Sequence, residues 1–427
     1  MTKLSLGYAR TLIALHGVAN LGFGAVLPFT AVYLSGLPDV GPLGAALYYV
    51  CVGMANLVVA AVLTGGLVRP RTPWLGTVGA VLAIFGCLLL AGADTRPTVL
   101  AAALANGAGQ GCFMAAIVPM LNAATPESHR RRLFARRYQV LNFSMAVGAL
   151  IAGATSSLIG REVFPWLYVG QAAVIVPLGL VLAWAIPRTP STSPPAGADP
   201  VETDPAHPGP TGTDSADAHP ATALPLRQLV RLAGGPTLFQ FAGYAFAFSQ
   251  LESTVPLVTD RLLHAGTLTV SLLIALNVVV IIVAQGAVTR RLESSTERHG
   301  LRIAVLLWIA GFGLAALTAL GSAWSAIAGL AGFIVLFSLG ECAYACSFHP
   351  WLISRVPQSE LTRASALTNA AMGVGLFTGP ALGVGLVVSG SAPLVWACLA
   401  LCCTAALRTV HETAPARTEP RIPVERN

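Results

Sequence analysis

Apolar runs of about 20 residues or more, the length that crosses a hydrocarbon core, recur along this 427-residue chain. They lie near 11–35, 43–68, 74–93, 98–122, 138–160, 165–186, 236–258, 267–289, 302–320, 323–353, 364–388 and 392–407. Backbone N–H and C=O groups find no water inside a bilayer, so only helices and closed barrels can span one. Long runs interrupted by Gly and Pro fit helices, whereas barrel strands would read as short alternating segments. The expected fold is therefore an all-α integral membrane protein of twelve transmembrane helices. Composition agrees: 10% of residues are charged, against about 25% in soluble domains, and the mean hydropathy is +0.71. Several runs exceed the minimum length, so tilted or bent helices are expected.

Two stretches about 230 residues apart repeat one another. Pro119, Leu121, Pro126, Ser128, Arg136, Asn142 and Gly148 recur in order as Pro350, Leu352, Pro357, Ser359, Arg363, Asn369 and Gly375. The first copy carries four extra residues, rich in arginine, between Ser128 and Arg136. Asn56, Gly65, Leu67 and Arg69 match Asn277, Gly286, Val288 and Arg290 at constant spacing, and Pro28 pairs with Pro256. Two similar halves in one membrane chain suggest a transporter that rocks about its middle.

Residues 187–226 break the apolar pattern with Pro, Thr, Ala, Gly, Ser and five scattered acids. Such a composition predicts a disordered linker. It separates a first bundle, residues 1–186, from a second, 227–407, and a polar tail follows at 408–427. With the N-terminus inside, only Arg96, Arg161 and Arg261 of the 25 basic residues fall in outer loops, as the positive-inside rule requires. Both termini and the linker are then cytoplasmic, in the inner (plasma) membrane. The net charge of +7 reads as topology and contact with anionic lipid rather than nucleic-acid binding. Arg130, Arg131, Arg132, Arg136 and Arg137 fit that reading, with a gate pair to Glu127 or Glu360 as the alternative. All eight cysteines lie in apolar spans without zinc or disulfide spacing. No metal or cofactor is expected, and no phosphate loop or nucleophile elbow marks an enzyme.

Ionisable groups at bilayer depth are costly and so are functional candidates. Glu252 and Glu341 are the two carboxylates in the spans, with His16 and His349 beside them. Asn20, Asn106, Gln110, Tyr244, Gln250 and Tyr344 complete a polar set confined to spans one, four, seven and ten. Glu341 lies near mid-span, where desolvation favours exchange of a proton; its repeat partner is the neutral Gln110. Ser338, Glu341, Ala345 and His349 share a helical face. Glu252, nearer the outer end, is a second proton site or a ligand for a cation.

Three segments carry a resemblance. The first span reads Asn20-Leu-Gly-Phe-Gly-Ala-Val-Leu-Pro28-Phe, the loop after span two Gly65-Gly-Leu-Val-Arg69-Pro-Arg71, and span eleven Gly375-Leu-Phe-Thr-Gly379-Pro380-Ala-Leu-Gly383. Together they resemble the major facilitator superfamily, and within it the twelve-span drug and metabolite exporters. The resemblance implies two pseudo-symmetric six-helix bundles around a midplane cavity lined by spans one, four, seven and ten. It also implies a gate in the loop of Gly65, Arg69 and Arg71, matched by Arg290, and a bending helix at Gly375, Gly379, Pro380 and Gly383. Three positions depart from it: Arg69 replaces the signature aspartate, Gly107 replaces the arginine of proton antiporters in span four, and span five lacks the glycine-proline pair.

The function expected on these grounds is secondary active transport by a monomer, with proton-coupled export of a small amphipathic drug or metabolite. Two alternatives stay open at this point. One is an uptake symporter or facilitator for a polar metabolite, and the other is a transporter-like sensor or scaffold that moves nothing.

Overall fold

The structure is a computed structural model that describes residues 5–68, 70–188, 224–387 and 390–411. No strand occurs among these residues. The first half contains α1 (Leu6–Val26), α2 (Gly41–Gly65), α3 (Thr72–Ala91), α4 (Arg96–Ala123), α5 (Arg130–Ile159) and α6 (Phe164–Ala185). The second contains α7 (Leu226–Gly243), α8 (Gly266–Leu292), α9 (Glu297–Thr318), α10 (Ala323–Arg355), α11 (Leu361–Val387) and α12 (Ala392–His411). Arg69, most of the linker and residues 412–427 lie outside the described residues.

Ten of the twelve are long and apolar enough to cross a membrane. The other two, α1 and α7, open the two halves, and both are interrupted. A 3₁₀ turn at Leu27–Phe29, holding Pro28, separates α1 from a short helix at Thr30–Ser35. Past α7 the chain runs through a π-turn at Tyr244–Phe248, short helices Ser249–Glu252 and Thr254–Leu257, and a second π-turn at Val258–Leu262. Pro256 sits in this second break, and proline cannot donate the backbone bond a continuous helix needs. The paired prolines thus mark the same interruption in each half.

Several helices start or end beyond the apolar runs. α5 begins at Arg130 rather than 138, α7 at Leu226 rather than 236, and α12 continues through Arg408 to His411. Hydropathy sees only the lipid-spanning part, whereas arginine is a good helix former that extends a helix beyond the lipid. Outward-facing residues such as Leu158, Val283 and Leu401 are more than two-thirds exposed, as lipid contact allows. Exposed Trp74 and Trp184 toward one face, with Trp166 and Trp324 toward the other, suit the aromatic belts of membrane interfaces.

The linker face is the end of the bundle where α1 and α7 begin. Here the halves share one core: Leu352, Ile353, Val356 and Leu361 pack into the cluster of Leu12, Leu63, Leu121 and Phe134. Toward the opposite face the first half keeps a separate cluster around Tyr33, Leu90 and Phe164. Apolar packing therefore joins the halves at the linker face.

Small residues set how closely helices approach within each half. A Cβ on Gly148 of α5 would collide with the Leu21 carbonyl oxygen of α1, and one on Gly375 of α11 would lie 2.8 Å from the Phe241 oxygen of α7. These repeat-related glycines do the same work in the two halves. Gly148→Val is expected to cost about 1–3 kcal/mol by overpacking. Thermal unfolding in detergent reads that loss, and an unchanged melting temperature would contradict the tight α1–α5 seam.

Candidate functional site

A cavity of about 250 Å³ lies between the halves, somewhat below the ~300–1,000 Å³ of drug-sized pockets. Asn20 on α1, Tyr244 just past α7, and Tyr344 and His349 on α10 line it. α4 contributes Met114, Ile117 and Val118. Two further helices take part that the resemblance did not assign to the cavity. α5 contributes Arg137, Tyr138 and Asn142, and α11 contributes Ser365, Thr368 and Asn369. The lining is thus amphipathic, with methionine and aromatic walls around a few polar groups.

Glu341 is buried behind this cavity, 4% exposed. The Tyr138 hydroxyl donates to its Oε1 at 2.7 Å and Asn277 Nδ2 donates to its Oε2 at 2.5 Å. Asn277 also donates to Ser338 Oγ at 2.9 Å. Glu341 is on α10 of the second half and Tyr138 on α5 of the first, so this carboxylate ties the halves together. Tyr138 stands at once on the cavity wall and against Glu341. Both donors point at the carboxylate, an acceptor-only group when ionised. A proton on Oε2 would face the Asn277 amide with a second donor, whereas one on Oε1 can be given to the Tyr138 oxygen, so protonation exchanges charge-assisted hydrogen bonds for weaker neutral ones. The repeat relates Asn277 to Asn56, whose Oδ1 accepts from Asn369 Nδ2 at 3.0 Å. That is a second tie between the halves, uncharged and without a carboxylate.

The four inserted residues add one turn to α5. It starts twelve residues before Asn142, whereas α11 starts eight before Asn369. Arg131 in the added turn donates through Nη1 to the Leu292 carbonyl at the end of α8, and it faces Glu297 at 3.8 Å. Arg132 pairs with Glu293 in a forked contact, Nη2 to Oε2 at 2.6 Å. In the other half Arg363 donates to the Thr64 carbonyl at the end of α2, from Nε at 3.1 Å and Nη2 at 2.8 Å. Each half therefore presents an arginine to the C-terminal carbonyls of the other, where orphan acceptors and the helix dipole favour a cation. Arg363 also pairs with Glu360 at 2.6 Å, and the two hold the backbone of Leu224 where the linker re-enters.

The arginine cluster is thus more than topological, and its partners differ from those expected. Glu360 pairs with Arg363, while Glu127 faces Arg130 at 3.8 Å within its own turn. The hydrogen bond from Arg132 holds the Glu293 carboxyl below the usual carboxylate range. A depressed value makes this tie complete above the unfolded carboxylate range, near ~4.3, and lost only as pH falls through the lower folded value. The pair is accordingly intact from about pH 5 upward. Charge reversal by Glu293→Arg is expected to lengthen the distance between spin labels at Ser128 and Ser294. Adding Arg132→Glu should restore it, and no change in either variant would contradict the tie.

The other sequence candidates fall elsewhere. His16 is buried edge-on against Phe113, with ring centroids 4.8 Å apart, and does not line the cavity. Asn106 donates to Tyr48 at 3.3 Å and packs on Gly86, facing α2 and α3. Gln110 is half-buried on α4 outside the lining. Gln250 is buried in the α7–α11 seam, donating to the Gly379 and Ala245 carbonyls. Gly379 and Gly383 meet Ser249 and Thr254 in that seam, with Pro380 between them, so close packing occupies this segment. Glu252 closes the short helix Ser249–Glu252, and its side chain lies outside the described residues. Gly65 ends α2, Arg71 immediately precedes α3, and Arg290 lies in the last turn of α8. The sequence grouped Arg131, Arg132 and Arg137 in one basic cluster and placed Arg363 in the repeat, but it marked neither Arg137 and Tyr138 as cavity residues nor the arginine contacts across the halves. The repeat asparagines and the inserted arginine turn were the available signals.

A helical bundle of two like halves, tied at one face around a central cavity, is the architecture of many membrane transporters. The family profile of the Major Facilitator Superfamily matches residues 11–296, and the chain belongs to that superfamily of secondary transporters. No curated protein sequence matches it. Among solved structures, a bacterial homologue of the iron transporter ferroportin in an outward-facing state is similar at TM-score 0.73 and 13% identity, over 94% of this chain and 99% of that one. The fucose:proton symporter of E. coli is similar at 0.67 and 16%, over 95% and 97%. The human organic anion transporter MFSD10 is similar at 0.64 and 13%, over 94% and 99%. At these identities the likeness is one of fold.

Proposed function

We propose that this chain exports a small solute in exchange for protons, with Glu341 as the proton-carrying group. The observation that carries the reading is the buried carboxylate of one half held by a hydroxyl of the other. Protonation of Glu341 removes the charge that strengthens the hydrogen bonds from Tyr138 and Asn277, and so loosens α5 from α10 beside the cavity. The other titratable or charged groups around this node are Tyr244 on the segment after α7, Cys342 beside Glu341 on α10, and Arg137 on the cavity wall of α5. The linker face is cytoplasmic in this reading, supported by the arginines gathered there. One chain supplies both walls of the cavity, which supports a monomer as the working unit. The cavity volume favours a small solute over bulky drugs, and the exporter-like first span favours outward transport.

The test is reconstitution into liposomes that trap a pH-sensitive dye. A panel of small solutes is applied under an imposed proton gradient. The expected result is solute-dependent proton movement with wild type and none with Glu341→Gln. Solute movement without proton movement in wild type would leave a facilitator and overturn the coupling.

A further inference from the structure

We infer that the transported solute is a small organic acid whose carboxylate is taken by Arg137, a substrate class that rests on the transport reading above. Arg137 lines the cavity, and no ion pair includes it among the described residues. Its Nε is buried without a hydrogen-bond partner. The neighbouring arginines differ: Arg131, Arg132 and Arg363 all reach carboxylates or helix-end carbonyls. Among the described residues no acidic side chain lines the cavity, and Glu341, buried behind it, already accepts from Tyr138 and Asn277. A guanidinium at membrane depth is retained at a cost unless something neutralises it. Its planar fork matches a carboxylate in two parallel hydrogen bonds.

The rest of the wall describes the body of the acid. Tyr344 is already engaged by Gln240, its hydroxyl donating at 2.8 Å, so it offers a ring face more than a free hydroxyl. Phe348 and the methionines Met114, Met145 and Met372 complete an apolar, adaptable surface. An aromatic or short aliphatic acid fits this division, with its charge at Arg137 and its body against α10 and α11. Tyr138 follows Arg137 directly on α5, so an acid seated at Arg137 lies beside the tie to Glu341.

The probes are 3-phenylpropanoate, its neutral amide and 2-phenylethylamine, which share a ring and differ in charge. Binding to the purified full-length protein is followed by tryptophan fluorescence and thermal shift, and uptake of each labelled compound is measured in liposomes. The acid is expected to bind at least tenfold more tightly than the amide in wild type. That ratio should fall to near one in Arg137→Gln and recover partly in Arg137→Lys, with the unliganded melting temperature of Arg137→Lys confirming the fold. Preference for the amine or amide, with transport of either, would overturn the acid assignment and leave the transport reading standing. Equal acid binding in wild type and Arg137→Gln would also overturn it. Transport of none of the three would sink the assignment together with the transport reading.

Discussion

Glu341→Gln is expected to abolish proton-driven accumulation while solute exchange across the membrane continues. Glutamine keeps the volume and one acceptor oxygen but can never carry a negative charge. Its oxygen can accept from Asn277 while its NH₂ donates to the Tyr138 oxygen, but both hydrogen bonds are then neutral and weaker, as they are around a protonated carboxyl. The variant therefore stays in the arrangement that a proton would otherwise create. The expected loss of driven uptake is at least a hundredfold, or about 2.7 kcal/mol at 1.36 kcal/mol per decade. Counterflow of labelled against unlabelled solute needs no net proton cycle and should remain within a few-fold of wild type. Tyr138→Phe removes the hydroxyl that crosses between the halves and should weaken coupling in the same assay, while Glu341 keeps Asn277. Loss of exchange and driven transport together in Glu341→Gln would mean a structural rather than a coupling role.

Arg363→Ala is the substitution expected to cost most in stability. Arg363 and Glu360 are 7% and 4% exposed, and removing one partner of a buried ion pair costs about 3–5 kcal/mol. Two further groups lose their partner at once: the Thr64 carbonyl and the Leu224 carbonyl. Arg363→Lys keeps the charge but cannot serve Thr64, Leu224 and Glu360 together, so an intermediate loss is expected. Part of this energy resides in the contact between halves. The variant should accordingly show both a lower melting temperature and faster labelling of a cysteine placed at Thr72, whose hydroxyl meets Thr362 across the same seam at 3.2 Å. A full-strength melting temperature with fast labelling would assign the pair wholly to the gate.

The repeat and the apolar runs made the helices and the two halves legible, because lipid leaves so few backbone solutions. The paired prolines, the repeat asparagines and Glu341 were visible for the same reason: polar or helix-breaking residues stand out in an apolar span. What stayed hidden is what depends on facing across the halves. Nothing in the spacing of Tyr138 says that its hydroxyl reaches a helix 203 positions away. Arg137 hid among five arginines, four of which lie at or near the linker face; only helix rotation separates it from Arg136, which is exposed. The inserted turn was counted correctly in the sequence, but its purpose needed the C-terminus of α8 to be placed beside it. Gln250 and Asn106 show the converse: polar residues in cavity-forming spans that satisfy neighbouring helices within one half.

The most direct test is the distance between spin labels at Ser128 and Ser294 across the linker face, measured in lipid by double electron–electron resonance at pH 8 and pH 5.5. The Arg132–Glu293 pair is charged at both values, so it does not move with this change. If a proton on Glu341 frees the halves, the wild-type distribution shifts toward longer distances at pH 5.5. Glu341→Gln then shows the longer distances at both pH values. A shift with pH that is as large in Glu341→Gln as in wild type would place the titrating group elsewhere and contradict the role of Glu341.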